Sequence, residues 1–411
     1  MATGDRRQTI PLRRVTSESD LDAPLQFRSL PPLTLYIHVP WCVRKCPYCD
    51  FNSHALTGGP TDSLPENEYL AALVADLESA LPQIWGRRVD SLFIGGGTPS
   101  LLSGEGVDRL LADCRSRLPV RPDAEITLEA NPGTVDAVKF AEFRAAGVNR
   151  LSLGIQSFND AHLRALGRIH DRQQAQRAIE SAARHFENFN LDLMYGLPNQ
   201  TLAQVRADLE TALSFSPPHL SYYQLTLEAH TAFAAAPPPL PDADRCADMQ
   251  EAIEQRLADT GYTHYEISAF AHAGRSCRHN LNYWLFGDYL GIGAGAHSKL
   301  TFPDRVVRQV RWKHPEDYLR QAQAGTPLQT HFDVAPADLP GEFMINALRL
   351  LDGFDPLLYE QRTALPLRGI DSILRRAEVA GLLERDFRRI APSDRGRRFL
   401  NRLLEEFLSA R

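Results

Sequence analysis

Short apolar runs alternate with amphipathic segments along the first half of the chain. The apolar runs predict strands at 33–39, 91–94, 125–128, 150–155, 190–194 and 220–227. The segments between them predict helices at 66–81, 104–118, 135–146, 172–186 and 202–215. Thr134 and Thr201 are predicted to cap the third and fifth helices, and Gly147 to end the third. Because continuous apolar strands are typical of a parallel sheet covered by helices, the pattern predicts an α/β fold built as a partial (β/α)6, TIM-like barrel.

The second half of the chain predicts a different organisation. A proline-rich run at 234–241 marks the expected end of the barrel, and a helix at 242–260 and a strand at 263–267 follow it. Short helices and a hairpin around 383–390 predict a winged-helix-like module near the C-terminus. We therefore expect a mobile tail at 1–28, the barrel at 29–233, an α+β extension at 242–335 and the C-terminal module at 336–411.

Composition narrows the class of protein. The 411 residues are enough for two domains, and the net charge of −6 argues against broad nucleic-acid binding, which needs a basic face. No apolar run approaches the ~20 residues of a transmembrane helix, although peripheral membrane contact stays open. The first residues lack the apolar region of a signal peptide and carry acidic residues that a transit peptide avoids, so we expect a cytoplasmic protein.

Three of the six cysteines lie in one short loop after the first predicted strand. Cys42, Cys46 and Cys49 have the spacing C-x3-C-x2-C in WCVRKCPYCDF. Three thiolates hold three irons of a [4Fe–4S] cluster and leave the fourth iron open to a small molecule. The alternative is a zinc site that His54 completes as Cys3His. The other cysteines, Cys114, Cys246 and Cys277, are isolated and are not expected to join either site.

Polar residues follow the next predicted strands, at the barrel edge where sites of such folds lie. The segment GGGTPS brings Gly96, Gly97 and Thr98 after the second strand, where backbone groups approach a ligand closely. The later strands end at a second set of polar residues: Glu129, Gln156 and Asp192. A carboxylate such as Glu129 accepts hydrogen bonds from both hydroxyls of a ribose.

These motifs, in this order, resemble the radical S-adenosylmethionine (SAM) superfamily. The resemblance implies that the open iron chelates the amino acid end of SAM and that the glycine segment receives its amino group. The planar guanidinium group of Arg168 is suited to hydrogen-bond the carboxylate of that cofactor. Tyr36, on the first strand, is either a core residue or a contact of the bound cofactor.

Within that superfamily the chain resembles the HemN group of oxygen-independent coproporphyrinogen III dehydrogenases and, more closely, the HemW family of haem chaperones. HemN-type enzymes carry a fourth cysteine two residues after the third, where this chain has Phe51. They also have a longer ordered N-terminal segment than the roughly thirty polar residues found here. The segments CDFNSHA and HNLNYW are similar to HemW, whereas Glu228-Ala229-His230-Thr231 departs from the EPNT-like run expected there.

Haem is the other ligand that the resemblance implies. His279 opens HNLNYW, and we expect it to lie in an accessible loop and to bind the haem iron, with Tyr283 and Trp284 covering the macrocycle. The alternative interpretation of the sequence pattern alone is a loop histidine that packs against its aromatic neighbours and binds no haem. Cys277 and His297 are rival ligands.

The resemblance favours a haem chaperone that carries a cluster and exchangeable SAM and passes haem to acceptor proteins, without dedicated catalytic turnover. An electron donor is a further expected partner. The alternative is a radical SAM oxidoreductase that decarboxylates coproporphyrinogen III in porphyrin biosynthesis, and a third hypothesis is a zinc-stabilised structural module. Phe51 and the short N-terminus favour the chaperone over the oxidoreductase, and the polar strand ends disfavour the zinc module.

Overall fold

One mixed sheet of twelve strands runs through the part of the chain that the computed structural model describes, residues 25–56 and 64–408. The strands are β1 Leu33–Val39, β2 Trp41–Cys42, β3 His54–Ala55, β4 Val89–Gly96, β5 Val120–Ala130, β6 Arg150–Gln156, β7 Phe189–Tyr195, β8 His219–Gln224, β9 Thr263–Glu266, β10 Ala269–Ala271, β11 Asp288–Ile292, β12 His297–Thr301, β13 Val306–Arg311, β14 Leu328–Asp333, β15 Leu383–Arg385 and β16 Ile390–Pro392. The twelve lie in the order β14-β13-β12-β11-β1-β4-β5-β6-β7-β8-β10-β9.

The helices cover this sheet and build the C-terminal module. They are α1 Glu66–Ala80, α2 Gly104–Arg117, α3 Ala137–Ala146, α4 Asp160–Ala165, α5 Arg172–His185, α6 Leu202–Leu213, α7 Ala232–Ala235, α8 Ala243–Asp259, α9 Arg278–Trp284, α10 Pro315–Gln323, α11 Leu339–Ala347, α12 Pro356–Thr363, α13 Asp371–Val379, α14 Asp394–Arg398 and α15 Leu400–Leu408.

The six strands predicted from the apolar runs are neighbours in the sheet. β1, β4, β5, β6, β7 and β8 pair in parallel in that order, with helices in the connections, so the predicted α/β barrel is confirmed. Their side chains are buried along most of each strand because helices cover the sheet. The sixth strand ends at Gln224, earlier than the predicted 227, and Leu227 is exposed.

Two of the three predicted helix ends are confirmed. Thr201 caps α6 through a capping box with Gln204, and Gly147 ends α3 in the left-handed region at φ +107°. The prediction for Thr134 is wrong. Residues 132–134 form a separate 3-10 turn, so the helix begins later, and Asp136 caps it by accepting a hydrogen bond from the Lys139 amide.

The predicted α+β extension widens the barrel sheet at both edges. β11 pairs in parallel with β1, and β12, β13 and β14 continue outwards in antiparallel pairs. At the opposite edge, β10 pairs with β8 and then β9. The proline-rich run therefore separates two lengths of sequence whose strands share one sheet.

A second hydrophobic cluster holds the C-terminal module together. Phe343, Tyr359, Leu374 and Phe407 pack there, beside the predicted hairpin, which β15 and β16 form. Residues 1–24 of the predicted tail lie outside the described residues, and Leu25 is buried in this cluster. Among the described residues, none of the helices is long and apolar enough to cross a membrane.

Candidate functional site

The three clustered cysteines lie where β1 leads into the barrel mouth. Cys42 closes the short strand β2, and the amide of Cys49 donates to the carbonyl of Cys46 at 3.2 Å, which folds the loop into a turn. Burial raises the pKa of the Cys42 and Cys49 thiols, so a bound metal centre is what would stabilise their thiolates. Cys114, Cys246 and Cys277 lie elsewhere and are buried.

Ten of the twelve residues predicted for the site line one cavity of about 360 Å³, which we call the cysteine cavity. They are Cys42, Cys46, Cys49, Gly96, Gly97, Thr98, Glu129, Gln156, Arg168 and Asp192. Gly96, Glu129 and Gln156 lie at or near the carboxyl ends of β4, β5 and β6, as the barrel topology predicts. The expectation that Asp192 follows its strand is wrong, because β7 continues to Tyr195 and Asp192 lies midway along it.

The cysteine geometry bears on the zinc alternative. Within the described ranges 25–56 and 64–408, no three His, Cys, Asp or Glu side chains are grouped so that they could hold one metal ion. A Cys3His zinc site needs such a group, because all four ligands surround a single ion. In a four-iron cluster each thiolate binds a different iron, so that group does not require the three cysteines to surround one ion.

The glycine segment after β4 packs directly against the cysteine loop. A Cβ atom on Gly97 would come within 2.6 Å of the Trp41 carbonyl oxygen, so only glycine fits there. Gly96 adopts φ +117° and its amide donates to Glu129 Oε2 at 3.0 Å. The segment therefore forms one wall of the cavity with its backbone exposed to a ligand.

Glu129 is the half-buried carboxylate at the end of β5. Burial and, next, the neighbouring carboxylate of Asp192 raise the pKa of Glu129 to about 8. Asp192 itself accepts hydrogen bonds from Ser152 Oγ at 2.9 Å and Asn190 Nδ2 at 2.7 Å, and burial raises its pKa. A ligand that brings hydroxyl donors or positive charge would therefore stabilise the ionised form of Glu129.

Gln156 has a strained backbone at the end of β6. Its φ is +67°, a left-handed value that costs a non-glycine residue of order 1 kcal/mol or more. Tyr223 donates its hydroxyl to Gln156 Oε1 at 2.8 Å. Asp208 on α6 holds the following two residues, accepting from Ser157 Oγ at 2.6 Å and the Phe158 amide at 2.9 Å. Asp208 is not recognisable from the local sequence, because its partners lie about 50 residues away.

Arg168 reaches the cavity from the loop after α4. One guanidinium nitrogen, Nη2, donates to the Gly154 carbonyl at 2.7 Å, and Nη1 lies 3.8 Å from Cys46 Sγ. Its Nε is buried and has no hydrogen-bond partner among the described residues. A buried donor without a partner is costly, so this wall suits an anionic or carbonyl ligand.

Tyr36 lines a neighbouring cavity of about 610 Å³, which we call the histidine cavity because four histidines line it. The Tyr36 hydroxyl lies 3.0 Å from His38 Nδ1. The two cavities share lining residues, among them Cys49, Gly96 and Glu129. Tyr36 therefore does not line the cysteine cavity, but it is not a pure core residue either, because it lines the histidine cavity.

His279 is buried, and the prediction that it lies in an accessible loop is wrong. It is 1% exposed in the first turn of α9, and its amide donates to Glu125 Oε1 at 3.1 Å. Its Nδ1 lies 2.9 Å from Ser91 Oγ, and its Nε2 lies 3.3 Å from the Tyr283 hydroxyl. Burial lowers the pKa of His279 to about 3, so the ring is neutral, but both nitrogens already have partners.

The two rival haem ligands differ in access. Cys277 is fully buried and its Sγ lies 3.6 Å from Glu125 Oε1. His297 begins β12, is exposed at the histidine cavity, and its ring makes no hydrogen bond to a described residue. Tyr283 lines the same cavity, whereas Trp284 packs under the Arg349 guanidinium at 4.4 Å.

Comparison with known proteins agrees with this architecture. The radical SAM superfamily pattern matches residues 36–212, and that of the HemN C-terminal domain matches residues 334–399. The chain is 48% identical to the protein named heme chaperone HemW of Escherichia coli K12, over 92% of this chain and 99% of that protein. It is 34% identical to the protein of the same name from Bacillus subtilis strain 168, over 91% and 98%.

A solved structure matches nearly the whole fold. It is that of Escherichia coli coproporphyrinogen III oxidase (HemN), described as a radical SAM enzyme, with a TM-score of 0.78 and 25% sequence identity. The match covers 96% of this chain and 93% of that one, so the arrangement of barrel and C-terminal module is shared.

Proposed function

The chain belongs to the HemW family within the radical SAM superfamily, and from this membership we propose that it is a haem chaperone with a [4Fe–4S] cluster and bound SAM. The observation that carries the proposal is the convergence of the three loop cysteines with the polar strand ends in one cavity. The relatives are named for handling haem, and we extend that role to this chain, with haem passed on to acceptor proteins.

Cys42, Cys46 and Cys49 would hold the cluster. A bound cluster with SAM supplies one-electron chemistry, and an electron donor would deliver the electron. The residues of the chain bind and orient the cofactor. Glu129 would accept the ribose hydroxyls, and Arg168 Nε, which has no hydrogen-bond partner within residues 25–56 and 64–408, would donate to the cofactor carboxylate.

The remaining polar strand ends would enclose the same cofactor. Gln156 and Asp192 line the same cavity as the glycine segment, which contributes Gly96, Gly97 and Thr98. Gln156 is held by Tyr223 in its strained conformation, so its amide is placed before a ligand arrives. We place the protein in the cytoplasm, because its six cysteines are free and a cluster of this kind needs a reducing compartment.

The second candidate function is anaerobic decarboxylation of coproporphyrinogen III, favoured by the structural match to HemN. Phe51 argues against it. Its side chain is 59% exposed and lines both cavities at the position where HemN-type enzymes carry a further cysteine.

Anaerobic reconstitution tests the proposal. We expect four iron atoms per chain and a visible cluster absorption, lost in Cys46→Ala and kept in the matched control Cys114→Ala. Haem titration of the reconstituted protein should show one haem per chain, and coproporphyrinogen III with reductant and SAM should give no protoporphyrinogen. Stoichiometric zinc without iron would refute the cluster, and sustained turnover would establish the second candidate.

A further inference from the structure

The histidine cavity combines the three chemical features that a haem requires, and the proposed function leaves this cavity unassigned. Its volume of about 610 Å³ lies within the range of roughly 300–1,000 Å³ usual for ligand sites. Its lining includes aromatic rings, imidazoles and two lysines. We propose that haem binds in the histidine cavity with His297 as the axial ligand of iron and with Lys45 and Lys313 facing its propionates. This inference rests on the proposed haem function and names its site.

An aromatic wall suits the flat apolar macrocycle. Tyr283 and Tyr289 pack edge to face with ring centroids 4.5 Å apart, and both line the cavity. Tyr36 lines it beside them, and Phe51 contributes an exposed ring on the side shared with the cysteine cavity. A macrocycle placed on these rings would cover apolar surface that is otherwise open to water.

Hydrogen bonding separates the four histidines that line the cavity. His38 is engaged at both nitrogens, by the Tyr36 hydroxyl at 3.0 Å and the Asn52 carbonyl at 2.8 Å. His54 Nε2 lies 3.2 Å from Asn52 Oδ1, and its ring packs edge to face on His314. His230 and His297 carry no hydrogen bond to a described residue on their rings.

The backbone favours His297 over His230. His297 is the first residue of β12, which pairs with β13 from His297↔Val310 onwards. His230 lies in the loop between β8 and α7 with a left-handed φ of +65°. A ligand on a paired strand is held in place more precisely than one on a loop. His297 is therefore the imidazole best placed to hold iron.

The two lysines supply the positive charge that propionates need. Both are exposed, and neither takes part in a salt bridge among the described residues. The Lys45 ammonium donates to the Phe51 carbonyl at 3.3 Å. The carboxyl groups in the lining, Asp50 and Glu129, also line the cysteine cavity, so the acidic side of the histidine cavity faces the proposed cluster.

His279 becomes a positioning residue in this arrangement. Its Nε2 contacts the Tyr283 hydroxyl from behind the aromatic wall, and its Nδ1 contacts Ser91 on β4. Its loss would let Tyr283 move without removing a ligand from the iron. Haem affinity should therefore depend on His279, while the coordination of the iron should not.

Titration of the purified protein with ferric haem, followed by Soret absorption and EPR, tests the assignment. His297→Ala should weaken binding at least tenfold and change both spectra, and added imidazole should restore the wild-type spectrum of His297→Gly. His230→Ala and the exposed control His331→Ala should match the wild type. Lys45→Gln and Lys313→Gln should each weaken binding roughly two- to fivefold, the scale of an exposed ion pair.

The positioning role has its own readout. His279→Ala and Tyr283→Phe should both weaken binding while the Soret and EPR spectra stay those of the wild type. A spectrum that changes in His279→Ala or His230→Ala, but not in His297→Ala, would overturn the assignment while leaving haem binding in place. A wild-type protein that binds no haem would instead overturn the proposed function, and this inference with it.

Discussion

Glu129 should add one proton to the pH dependence of SAM binding, and Glu129→Gln should remove that contribution. With a pKa raised to about 8, this carboxyl group is largely protonated in the cofactor-free protein at pH 7. The positive charges of SAM favour the ionised carboxylate, so binding below pH 8 must release one proton from Glu129. One-proton linkage then makes the affinity up to about 15-fold weaker at pH 6.5 than at pH 8.

The same pKa fixes the sign of a stability effect in the cofactor-free, cluster-free protein. The folded state binds the Glu129 proton more tightly than the unfolded state, whose pKa is near the ordinary 4.5. The resulting stabilisation is complete below about pH 4.5 and is lost as the pH rises through about 8. The free energy of unfolding of Glu129→Gln, relative to the wild type, should therefore increase from pH 6 to pH 8.5.

Equilibrium dialysis of radiolabelled SAM against the anaerobically reconstituted protein measures the affinity at each pH. In the wild type the Gly96 amide donates a hydrogen bond to Glu129 Oε2 at 3.0 Å. Gln keeps an acceptor oxygen for this bond, so the glycine segment should stay in place. Glu228→Gln, which removes a carboxylate from the exposed rim of the same cavity, is the matched control. Protons released by SAM itself are common to all three proteins. Equal slopes of affinity against pH in the wild type and Glu129→Gln would refute the reasoning.

Two further substitutions test how the fold supports the cavities. Asp76→Ala leaves the buried Arg311 guanidinium without the carboxylate that lies 3.2 Å away, and urea unfolding of the cluster-free protein should show a loss of about 3–5 kcal/mol. The exposed control Asp394→Ala should cost less than about 1 kcal/mol, and an equal loss in both would contradict this account. Asp208→Asn should lower stability by about 1–3 kcal/mol and weaken SAM binding through Gln156, with cluster absorption unchanged. Unchanged SAM affinity would show that Asp208 does not position Gln156.

The local sequence pattern predicted the barrel because every one of its parallel strands has to be apolar along most of its length. Each parallel strand is covered on both faces, so each is a continuous apolar run that ends where the sheet meets solvent. A polar residue at the end of such a run therefore lies at the barrel edge, as Glu129 does near the end of β5 and Gln156 at the end of β6. Periodicity locates these positions to within a few residues, without any knowledge of their neighbours.

The placement of α9 was not predictable in that way. His279 is held by Glu125, which lies 154 residues earlier, and by Ser91, which lies 188 residues earlier. Polar residues and turn-prone neighbours normally indicate an exposed loop. Here the polar groups form hydrogen bonds with one another inside the protein. The local pattern therefore predicts an exposed residue where the structure has a buried one. The role of Asp76 is not predictable from the sequence for the same reason, because its partners Arg311 and Tyr318 lie more than 230 residues away.

The cysteine cavity concentrates energetic costs that the surrounding fold has to offset. Gln156 has a left-handed backbone, Glu129 has a carboxyl group whose ionisation is disfavoured, and Arg168 has a buried nitrogen without a hydrogen-bond partner in the described part of the chain. The costs at Glu129 and Arg168 would fall if a ligand supplied hydroxyl donors or positive charge to the first and an anionic oxygen to the second, and SAM carries all three. Part of the support comes from outside the cavity, because Asp208 on α6 holds Ser157 and Phe158, the two residues that follow Gln156. Strained or unpartnered groups also occur elsewhere among the described residues, but three of them coincide in this one cavity, and that coincidence supports a binding site independently of the cysteine motif.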